Sequence, residues 1–195
     1  MNAPRAPSNH RVAGDTHDES EERLLARARA GDGRAFGELV LLHDEALRRL
    51  AYRLLGDRDA MDDALQEAYV KAFGALPRFA GRAAFATWLY RIVYNTCLDQ
   101  LRRRQAPSTP LPDTTPAPDE DPADAIGRRA SLATALALLP PPERAIVLLV
   151  DADGLSYDAA AAIVGVPTGT VASRLSRARA TLRRALRAEH EGVSS

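Results

Sequence analysis

The segment spanning residues 155–179 predicts two helices separated by a tight turn. Ser156 can N-cap the first helix, Gly165 can adopt the positive φ that ends it, and Pro167 prevents its continuation. Thr168 is predicted to cap the second helix. One face of that helix is apolar at steps of four and three residues, and its members are Val171, Leu175, Ala178, Leu182 and Leu186.

The other face of this second helix is polar and basic, and it includes Ser173, Ser176, Arg177 and Arg184. Six arginines lie between Arg174 and Arg187 without an intervening acid, which favours phosphate binding. The geometry is that of a helix-turn-helix, whose second helix enters the DNA major groove. The alternative is a pair of core helices with a solvated arginine face. The agreement of caps, turn, stripe and charge favours DNA binding.

Composition predicts an all-α chain. Of the 195 residues, 37 are alanine and only 5% are aromatic; alanine favours helices and disfavours strands. The formal net charge is zero, so the chain is not a uniformly basic DNA-coating protein. A single cysteine excludes an internal disulfide and a multi-cysteine zinc site. No apolar run approaches the roughly 20 residues needed to cross a bilayer, and no signal peptide is evident. We therefore expect no membrane insertion and a cytoplasmic location.

Two small helical domains are predicted, joined by a flexible, acidic, proline-rich linker. Residues 1–19 have no periodicity and read as a disordered tail. Residues 20–104 form the first domain, residues 105–125 the linker, and residues 126–190 the second domain with the helix-turn-helix. Six of the chain's 13 prolines lie in the linker together with five acids and no base, a composition typical of an extended tether.

Four helices are predicted in the first domain. A short helix around Leu24–Ala28 is followed by one long helix from Phe36 to Leu54 that ends at Gly56. The third carries apolar residues from Met61 to Ala72, and the fourth runs from Phe85 into three consecutive arginines. In the second domain, one helix runs to Leu139 and another from the triple proline to about Asp151, before the helix-turn-helix.

The third helix carries a polar patch opposite its alanine-rich face, made of Asp62, Asp63, Gln66 and Glu67. Such a patch would repel DNA but suits a basic protein groove; an ordinary solvated face is the alternative. Adjacent positions diverge by about 100° on a helix, so Asp62 and Asp63 cannot chelate one ion together. No phosphate-binding glycine loop or other catalytic motif is present. We expect no cofactor, no metal and no enzymatic activity.

The fourth helix combines Trp88, Tyr90, Tyr94 and Asn95 with the arginines at residues 102–104. Aromatic faces, amides and cations are the groups that bind single-stranded DNA. Trp88 is equally suited to the core, and the arginines also suit a helix end on dipole grounds. These alternatives stay open on the residues alone.

A resemblance to a known protein family narrows these alternatives. The second domain contains, in order, Ser156-Tyr157-Asp158, Ile163, Gly165-Val166-Pro167, Gly169-Thr170-Val171, Ser173-Arg174 and Arg177-Ala178-Arg179. This series resembles the −35-reading module of bacterial extracytoplasmic-function sigma factors. Family members commonly carry Glu where Ala159 stands, so the capping box with Ser156 is absent. They often carry Lys or Met where Ala172 stands.

The first domain resembles the polymerase-binding and −10-reading module of the same family. The similar residues are Leu24-Leu25, Gly31-Asp32, Ala35-Phe36, Asp62-Asp63-Ala64-Leu65-Gln66-Glu67-Ala68, Phe79 and Thr87-Trp88-Leu89-Tyr90-Arg91-Ile92-Val93-Tyr94-Asn95. The resemblance implies a sigma factor that binds core RNA polymerase and directs promoter-specific initiation. It implies polymerase contacts to the largest-subunit clamp helices and to the flap, with a linker threaded near the active-site channel. It also implies an anti-sigma factor as a partner, and a chain that is monomeric when free or complexed with that partner.

Individual residues follow from the same resemblance. Asp62, Asp63, Gln66 and Glu67 are expected to bind core polymerase. The loop at residues 78–84 and Asn95 are expected to hold a flipped −10 base. The full set of expected −10 contacts is Phe79, Trp88, Tyr90, Arg91, Asn95, Arg102 and Arg103. The expected −35 contacts are Thr168, Thr170, Ser173, Arg174 and Arg177.

Two other classes of protein compete with this interpretation. A helix-turn-helix regulator acting without polymerase would bind duplex DNA tightly on its own and usually dimerise; the acidic third helix argues against it. An all-α interaction protein would show no salt-dependent DNA affinity; the six arginines argue against that class.

Overall fold

The structure is a computed structural model that describes residues 12–105 and 132–193, with side chains for residues 20–104 and 132–187. The first domain comprises α1 (Val12–Arg29), α2 (Gly33–Leu41), α3 (Asp44–Leu55), α4 (Arg58–Ala75), a 3₁₀ turn (Leu76–Arg78) and α5 (Phe85–Gln105). The second comprises α6 (residues 132–137), α7 (Pro141–Val147), a π-helical turn (Leu148–Ala152), α8 (Tyr157–Val164) and α9 (Thr168–Val193). Within these ranges no strand occurs, which confirms the predicted all-α class.

Helix α1 begins at Val12, so the prediction of a disordered tail up to residue 19 is wrong for its second part. This stretch has no apolar stripe, and hydrophobic periodicity predicts a helix only where such a stripe recurs. The acidic residues of α1 precede Arg27 and Arg29, which lie in its last turn. Acids towards the start and bases towards the end of a helix interact favourably with its dipole. Residues 1–11 and the predicted linker beyond residue 105 lie outside the described ranges.

The single long helix predicted from Phe36 to Leu54 is in fact two helices, α2 and α3, with a break at residues 42–43. At the break the His43 amide bonds to the Val40 carbonyl at 3.0 Å, a tighter turn than an α-helix. Tyr69 of α4 donates a hydrogen bond to the Asp44 carboxylate at 2.9 Å and holds the start of α3. The apolar spacing continues across the break, so periodicity could not reveal it.

Helices α3, α4 and α5 enclose the core of the first domain. Gly56 adopts a left-handed conformation at φ 72° and ends α3, as predicted. The Asp57 carboxylate then caps α4 by accepting from the Ala60 amide at 3.2 Å. The largest fully buried side chains of this domain are Leu39, Leu47, Leu50, Leu54, Leu76, Leu89, Val93 and Tyr94.

The helix-turn-helix forms as predicted, with one change at the second helix. The Ser156 hydroxyl caps α8 by accepting from the Ala159 amide at 3.2 Å, and Gly165 ends α8 at φ 76°. Helix α9 already includes Thr168, and the backbone amides of Thr170 and Val171 in its first turn donate to the Pro167 carbonyl. The Thr168 hydroxyl instead donates to Asp158 at 2.8 Å, so the prediction that Thr168 caps α9 is wrong. The predicted apolar stripe of α9 faces α7 and α8 and is buried as far as Leu182.

The two domains pack against each other in the structure. Helix α8 lies on α5, and α7 lies on the end of α3. Their buried side chains join one continuous apolar core. This packing determines which predicted site residues reach the surface.

Candidate polymerase and DNA interfaces

The polar patch predicted on α4 is present on the structure. Asp62, Asp63 and Gln66 are exposed and Glu67 is half-buried, whereas the alanines between them are buried. Arg48 donates to Asp62 at 2.6 Å. Among the described residues Asp63 forms no ion pair, so its charge is directed at solvent.

Glu67 differs from the other three members of this patch. It lies 2.7 Å from Lys71 and 3.2 Å from Arg103. Hydrogen bonds from Lys71 and then Arg103 lower the pKa of Glu67 against the effect of burial. The Glu67 carboxylate is therefore ionised but paired with bases, as Asp62 is with Arg48. Within the described residues, Asp63 is the carboxylate of this patch that has no ion pair.

Three aromatic rings form a cluster at the start of α5. The ring centroids of Phe79 and Trp88 are 4.9 Å apart, and those of Phe85 and Trp88 are 5.8 Å apart. Phe79 and Phe85 are buried, and Trp88 lies over them half-exposed. Of these rings, Trp88 is the one that can stack on a base, while the predicted −10 contact Phe79 supports it from below.

Four of the predicted −10 contacts share one face of α5. Trp88, Arg91, Asn95 and Arg102 recur at steps of three, four and seven residues, and Arg91, Asn95 and Arg102 are exposed. The face thus combines an aromatic ring, an amide and two guanidinium groups, the set that single-stranded DNA requires.

Tyr90 does not join this face. It is 6% exposed, and its hydroxyl donates to Asp153 of the second domain at 3.5 Å. Burial raises the pKa of Tyr90 to about 12. In this arrangement of the domains, Tyr90 is withheld from any DNA strand.

The arginines that end α5 are partly neutralised inside the first domain. Arg102 lies 3.2 Å from Asp99, Arg103 lies 3.2 Å from Glu67, and Arg104 donates to Asp57 at 3.1 Å. No local pattern indicates the last two pairs, because their partners are more than 30 residues away. These arginines remain exposed and could exchange the carboxylates for phosphates.

On α9 the predicted −35 contacts lie at its amino-terminal end. Thr168, Ser173 and Arg177 are exposed, while Thr170 and Arg174 are half-buried. The Ser173 hydroxyl donates to the Thr170 carbonyl at 3.0 Å. The charge of Arg174 opposes the burial that raises the pKa of Tyr94 on α5.

Not all six arginines of α9 are available to phosphate. Asp151 of the π-helical turn accepts from Arg179 Nε at 3.0 Å. Arg183 donates to the Arg179 carbonyl at 3.2 Å. The phosphate-binding surface inferred from the sequence is therefore narrower than the run of arginines indicated.

Three residues that sequence reasoning missed cross the domain interface. Arg49 of α3 donates to Asp153 at 2.9 Å, and Arg144 of α7 donates to the carbonyls of Arg53 and Leu54 at 3.3 and 3.1 Å. No local pattern marks these contacts, since the partners across the interface lie about 90 or more residues apart in sequence.

Within the described ranges, no group of three metal-ligating side chains is brought together. No helix in that part of the chain is both long and apolar enough to cross a membrane.

Two models of the sigma-70 family match the chain, one on each domain. The model for sigma-70 region 2 matches residues 39–106, and the model for sigma-70 region 4 matches residues 129–182. Each of the two helical domains thus matches one region of a sigma-70-type protein.

Curated relatives identify the family more narrowly. The chain is 41% identical to the ECF RNA polymerase sigma factor SigM of Mycobacterium tuberculosis, over 93% of this chain and 92% of the relative. It is 35% identical to the RNA polymerase sigma-H factor of Pseudomonas aeruginosa, over 86% and 94%. The chain belongs to the extracytoplasmic-function (ECF) RNA polymerase sigma factors.

Two solved structures share its architecture. CnrH in complex with the cytosolic domain of CnrY matches with a TM-score of 0.69 and 32% identity, over 87% of this chain and 98% of that chain. The sigma factor RpoE in complex with the anti-sigma factor NepR from Bartonella quintana matches with a TM-score of 0.65 and 30% identity, over 78% and 96%.

Proposed function

We propose that this chain binds core RNA polymerase and directs it to promoters by reading a −10 element with the first domain and a −35 element with the second. The observation that carries the proposal is the placement of the two sigma-70 regions, one on each helical domain and in the family's order. The protein acts as a specificity subunit in the cytoplasm and supplies no chemistry of its own.

Asp62, Asp63, Gln66 and Glu67 are the proposed contacts to the clamp helices of the largest polymerase subunit. Their support is the exposure of the first three and the carboxylate of Asp63, which forms no ion pair among the described residues. Such a patch would attract a basic groove at long range and would fix how the two surfaces align.

The −10 strand is proposed to lie along the face of α5 that carries Trp88, Arg91, Asn95 and Arg102. Trp88 would stack on a base, Asn95 would hydrogen-bond a base edge, and the arginines would bind phosphates. Phe79 supports Trp88, and Arg103 lies beside the path of the strand. Tyr90 joins the site only when the second domain moves away, because Asp153 now covers it.

The −35 duplex is proposed to meet the start of α9 through Thr168, Thr170, Ser173, Arg174 and Arg177. The amino-terminal residues of a recognition helix are the ones that contact base edges in the major groove. Their support is the exposure of Thr168, Ser173 and Arg177 and the partial exposure of the other two. The cap and the turn of α8 fix the start of α9.

The division of the chain is proposed as a polymerase- and −10-binding unit that includes residues 20–104, a linker at residues 105–125 and a −35-binding unit at residues 126–190. An anti-sigma factor is proposed as a further partner, since the similar sigma factor RpoE was solved in complex with the anti-sigma factor NepR, and the similar CnrH in complex with the cytosolic domain of CnrY. Copurification of the chain from its own cells, followed by identification of the bound protein, tests that partner.

Transcription in vitro with sigma-free core polymerase tests the central proposal. We expect discrete transcripts from a genomic promoter library when the chain is added and none when it is omitted. Absence of both core binding and specific transcripts would refute it. Tight, specific duplex binding by the free chain, with no effect on core polymerase, would favour a regulator that acts alone.

A further inference from the structure

Glu67 takes part in both of the interfaces proposed for the first domain. It belongs to the polar patch of α4 that is proposed to bind core polymerase. It also holds Arg103, one of the proposed −10 contacts, at 3.2 Å. Arg103 lies at the end of α5, 36 residues away in sequence, so the pair joins α4 to α5. The two proposed interfaces therefore share one ion pair.

Both oxygens of the Glu67 carboxylate are occupied by bases of the chain itself. Nζ of Lys71 lies 2.7 Å from Oε1, and Nη2 of Arg103 donates to Oε1 and to Oε2 at 3.2 Å each. A carboxylate has about four acceptor positions in total, and cations that share one carboxylate repel each other. A base of the polymerase groove that binds both oxygens must therefore displace one of these two partners.

Arg103 is the weaker partner of Glu67. It donates with a single nitrogen, whereas the strongest arginine–carboxylate pairs use two nitrogens at shorter distances. The Arg103 side chain is 61% exposed and reaches Glu67 from another helix. Lys71 follows Glu67 by four residues on α4, the order and spacing that favour a helical ion pair. A competing base should therefore displace Arg103 and leave Lys71 in place.

Arg103 becomes available to DNA when it leaves Glu67. Its neighbour Arg102 lies on the proposed −10 face, seven residues after Asn95, and both arginines are exposed. A guanidinium that is paired with a carboxylate attracts a phosphate weakly, whereas a free one forms charge-assisted hydrogen bonds with it. Such phosphate contacts contribute strongly to single-strand affinity and do not depend on the base sequence.

We propose that Glu67 couples polymerase binding to DNA binding through an exchange of charge partners. A base of the polymerase groove binds Glu67 and so releases Arg103 to a phosphate of the −10 strand. This exchange rests on the proposed function of the two surfaces. In the free chain, the Glu67–Arg103 pair restrains DNA binding by the first domain. Because linkage is reciprocal, a strand that binds Arg103 raises the affinity of the chain for polymerase by the same factor.

Glu67→Gln in the full-length chain tests the restraint. Glutamine keeps the length of the side chain but removes its charge, so Arg103 is freed without polymerase. We expect the affinity of the free chain for a short single-stranded oligothymidylate to rise roughly two- to fivefold, the range that an exposed ion pair allows. Fluorescence anisotropy at low salt, where phosphate contacts are strongest, measures this affinity. The same variant should bind core polymerase more weakly in a competition assay.

Asp62→Asn is the matched control. It also removes one carboxylate from the polar patch of α4, but that carboxylate is paired at 2.6 Å with Arg48 of α3 and not with an arginine of α5. This variant should lose affinity for core polymerase and gain none for oligothymidylate. An equal gain in both variants would indicate a general effect of net charge and would overturn the exchange.

Arg103→Gln tests the exchange from the other side. It leaves Glu67 paired with Lys71 alone, so the affinity for core polymerase should rise up to roughly fivefold. Arg104→Gln removes the next cation, which is paired with Asp57, and should leave that affinity unchanged. The double variant of Glu67→Gln and Arg103→Gln should bind oligothymidylate no better than Arg103→Gln alone, because both changes act through one pair.

The outcomes separate the exchange from the proposed function. A circular dichroism melt verifies the fold of each variant, and if Glu67→Gln fails to fold, the more exposed Arg103→Gln carries the test. A wild-type chain that binds core polymerase, with no gain on oligothymidylate in folded Glu67→Gln, would overturn the exchange alone. Failure of the wild-type chain to bind core polymerase would overturn the proposed function, while the free chain would still report whether Glu67 restrains Arg103.

Discussion

At the scale of single residues, exposure divides the predicted −10 contacts into two groups. Trp88, Arg91 and Asn95 lie along one accessible face of α5, whereas Phe79 and Tyr90 are buried. A buried side chain can support a contact or wait for a domain movement, but it cannot touch a strand in the arrangement described here. Substitutions of the exposed Arg91 and Asn95 should therefore act on DNA binding without acting on stability, whereas Trp88 also packs on the rings of Phe79 and Phe85.

Asn95→Ala should weaken binding of single-stranded −10 DNA by the holoenzyme and leave duplex −35 binding unchanged. Loss of a base-edge contact costs about 1–3 kcal/mol, and an exposed position away from caps and core changes stability by no more than about 0.5 kcal/mol. Competition binding with the two DNAs measures the difference. An equal loss on both substrates would indicate a folding defect and would contradict the assignment.

Arg174→Ala and Arg177→Ala should alter −35 recognition by the holoenzyme more than Arg184→Ala, an exposed arginine further along α9. A base-reading arginine should change preference at one −35 position, and a phosphate-binding arginine should reduce the salt slope by about one unit. Binding to a library of −35 variants at several salt concentrations distinguishes the two. If neither variant changes preference or slope, α9 is not the promoter reader.

At the scale of elements, α4 and α8 place side chains in different ways. Helix α4 buries Ala64, Leu65 and Ala68 and so presents its acids together on the opposite side. Helix α8 is a short helix fixed at both ends, by the Ser156 cap and by Gly165. Each element therefore has its own test, a change of charge for α4 and a change of cap for α8.

Asp62→Lys combined with Asp63→Lys should weaken core polymerase binding while the fold persists, because both side chains are exposed. Reversal of two charges turns attraction to a basic groove into repulsion. A competition assay for core polymerase measures the effect. Glu22→Lys with Glu38→Lys reverses two exposed acids elsewhere on the first domain and serves as the control. Equal affinities of the two double variants for core polymerase would indicate that the α4 face is an ordinary solvated surface.

Ser156→Ala should lower the free energy of unfolding by about 1 kcal/mol, the usual cost of losing a side-chain cap. The Ala159 amide loses its partner, and no Glu at position 159 offers a capping box in compensation. Urea unfolding followed by circular dichroism measures the loss. Ser176→Ala on the exposed face of α9 should leave the midpoint unchanged, and a similar shift in both variants would argue against a specific role for the cap.

At the scale of the whole molecule, the core runs through both domains, and α5 lies at its centre. Helix α5 contacts α3 and α4 on one side and α8 on the other. The face that carries Arg91 and Asn95 is left to solvent. The thiol of Cys97 is fully buried within this helix, and burial raises its pKa to about 12.

Cys97 should therefore resist thiol reagents until the protein unfolds. At pH 8 in buffer we expect labelling at least roughly 10³-fold slower than in denaturant, in keeping with the folding equilibrium of a stable domain. The introduced cysteine of the Ala180→Cys variant should react at once under the same conditions. Rapid labelling of Cys97 in the native chain would show that the core around α5 opens far more readily than its packing indicates.

The local chemistry of the sequence was sufficient for the helix-turn-helix and for the acidic face of α4. A cap at Ser156, a positive φ at Gly165 and an apolar stripe from Val171 are short-range signals, and the structure confirms each. Periodicity was insufficient in two places. It predicted one continuous helix through residues 42–43, where the chain breaks and Tyr69 bonds to Asp44. It also missed the first part of α1, which has no apolar stripe although its acids precede its last-turn arginines.

The exposure of the site was decided by tertiary structure alone. The local pattern placed Tyr90 on the same helix as Trp88 and Asn95. Only the packing of the second domain on α5 brings Asp153 against the Tyr90 hydroxyl. The Arg49–Asp153 pair spans 104 residues of sequence, and nothing in either neighbourhood specifies the other. Helical periodicity is a property of adjacent residues, so the sequence determined the elements and their chemistry. The contact between the domains depends on how the surfaces of the two folded domains fit together, so the tertiary structure determined which of those residues are exposed to a DNA strand.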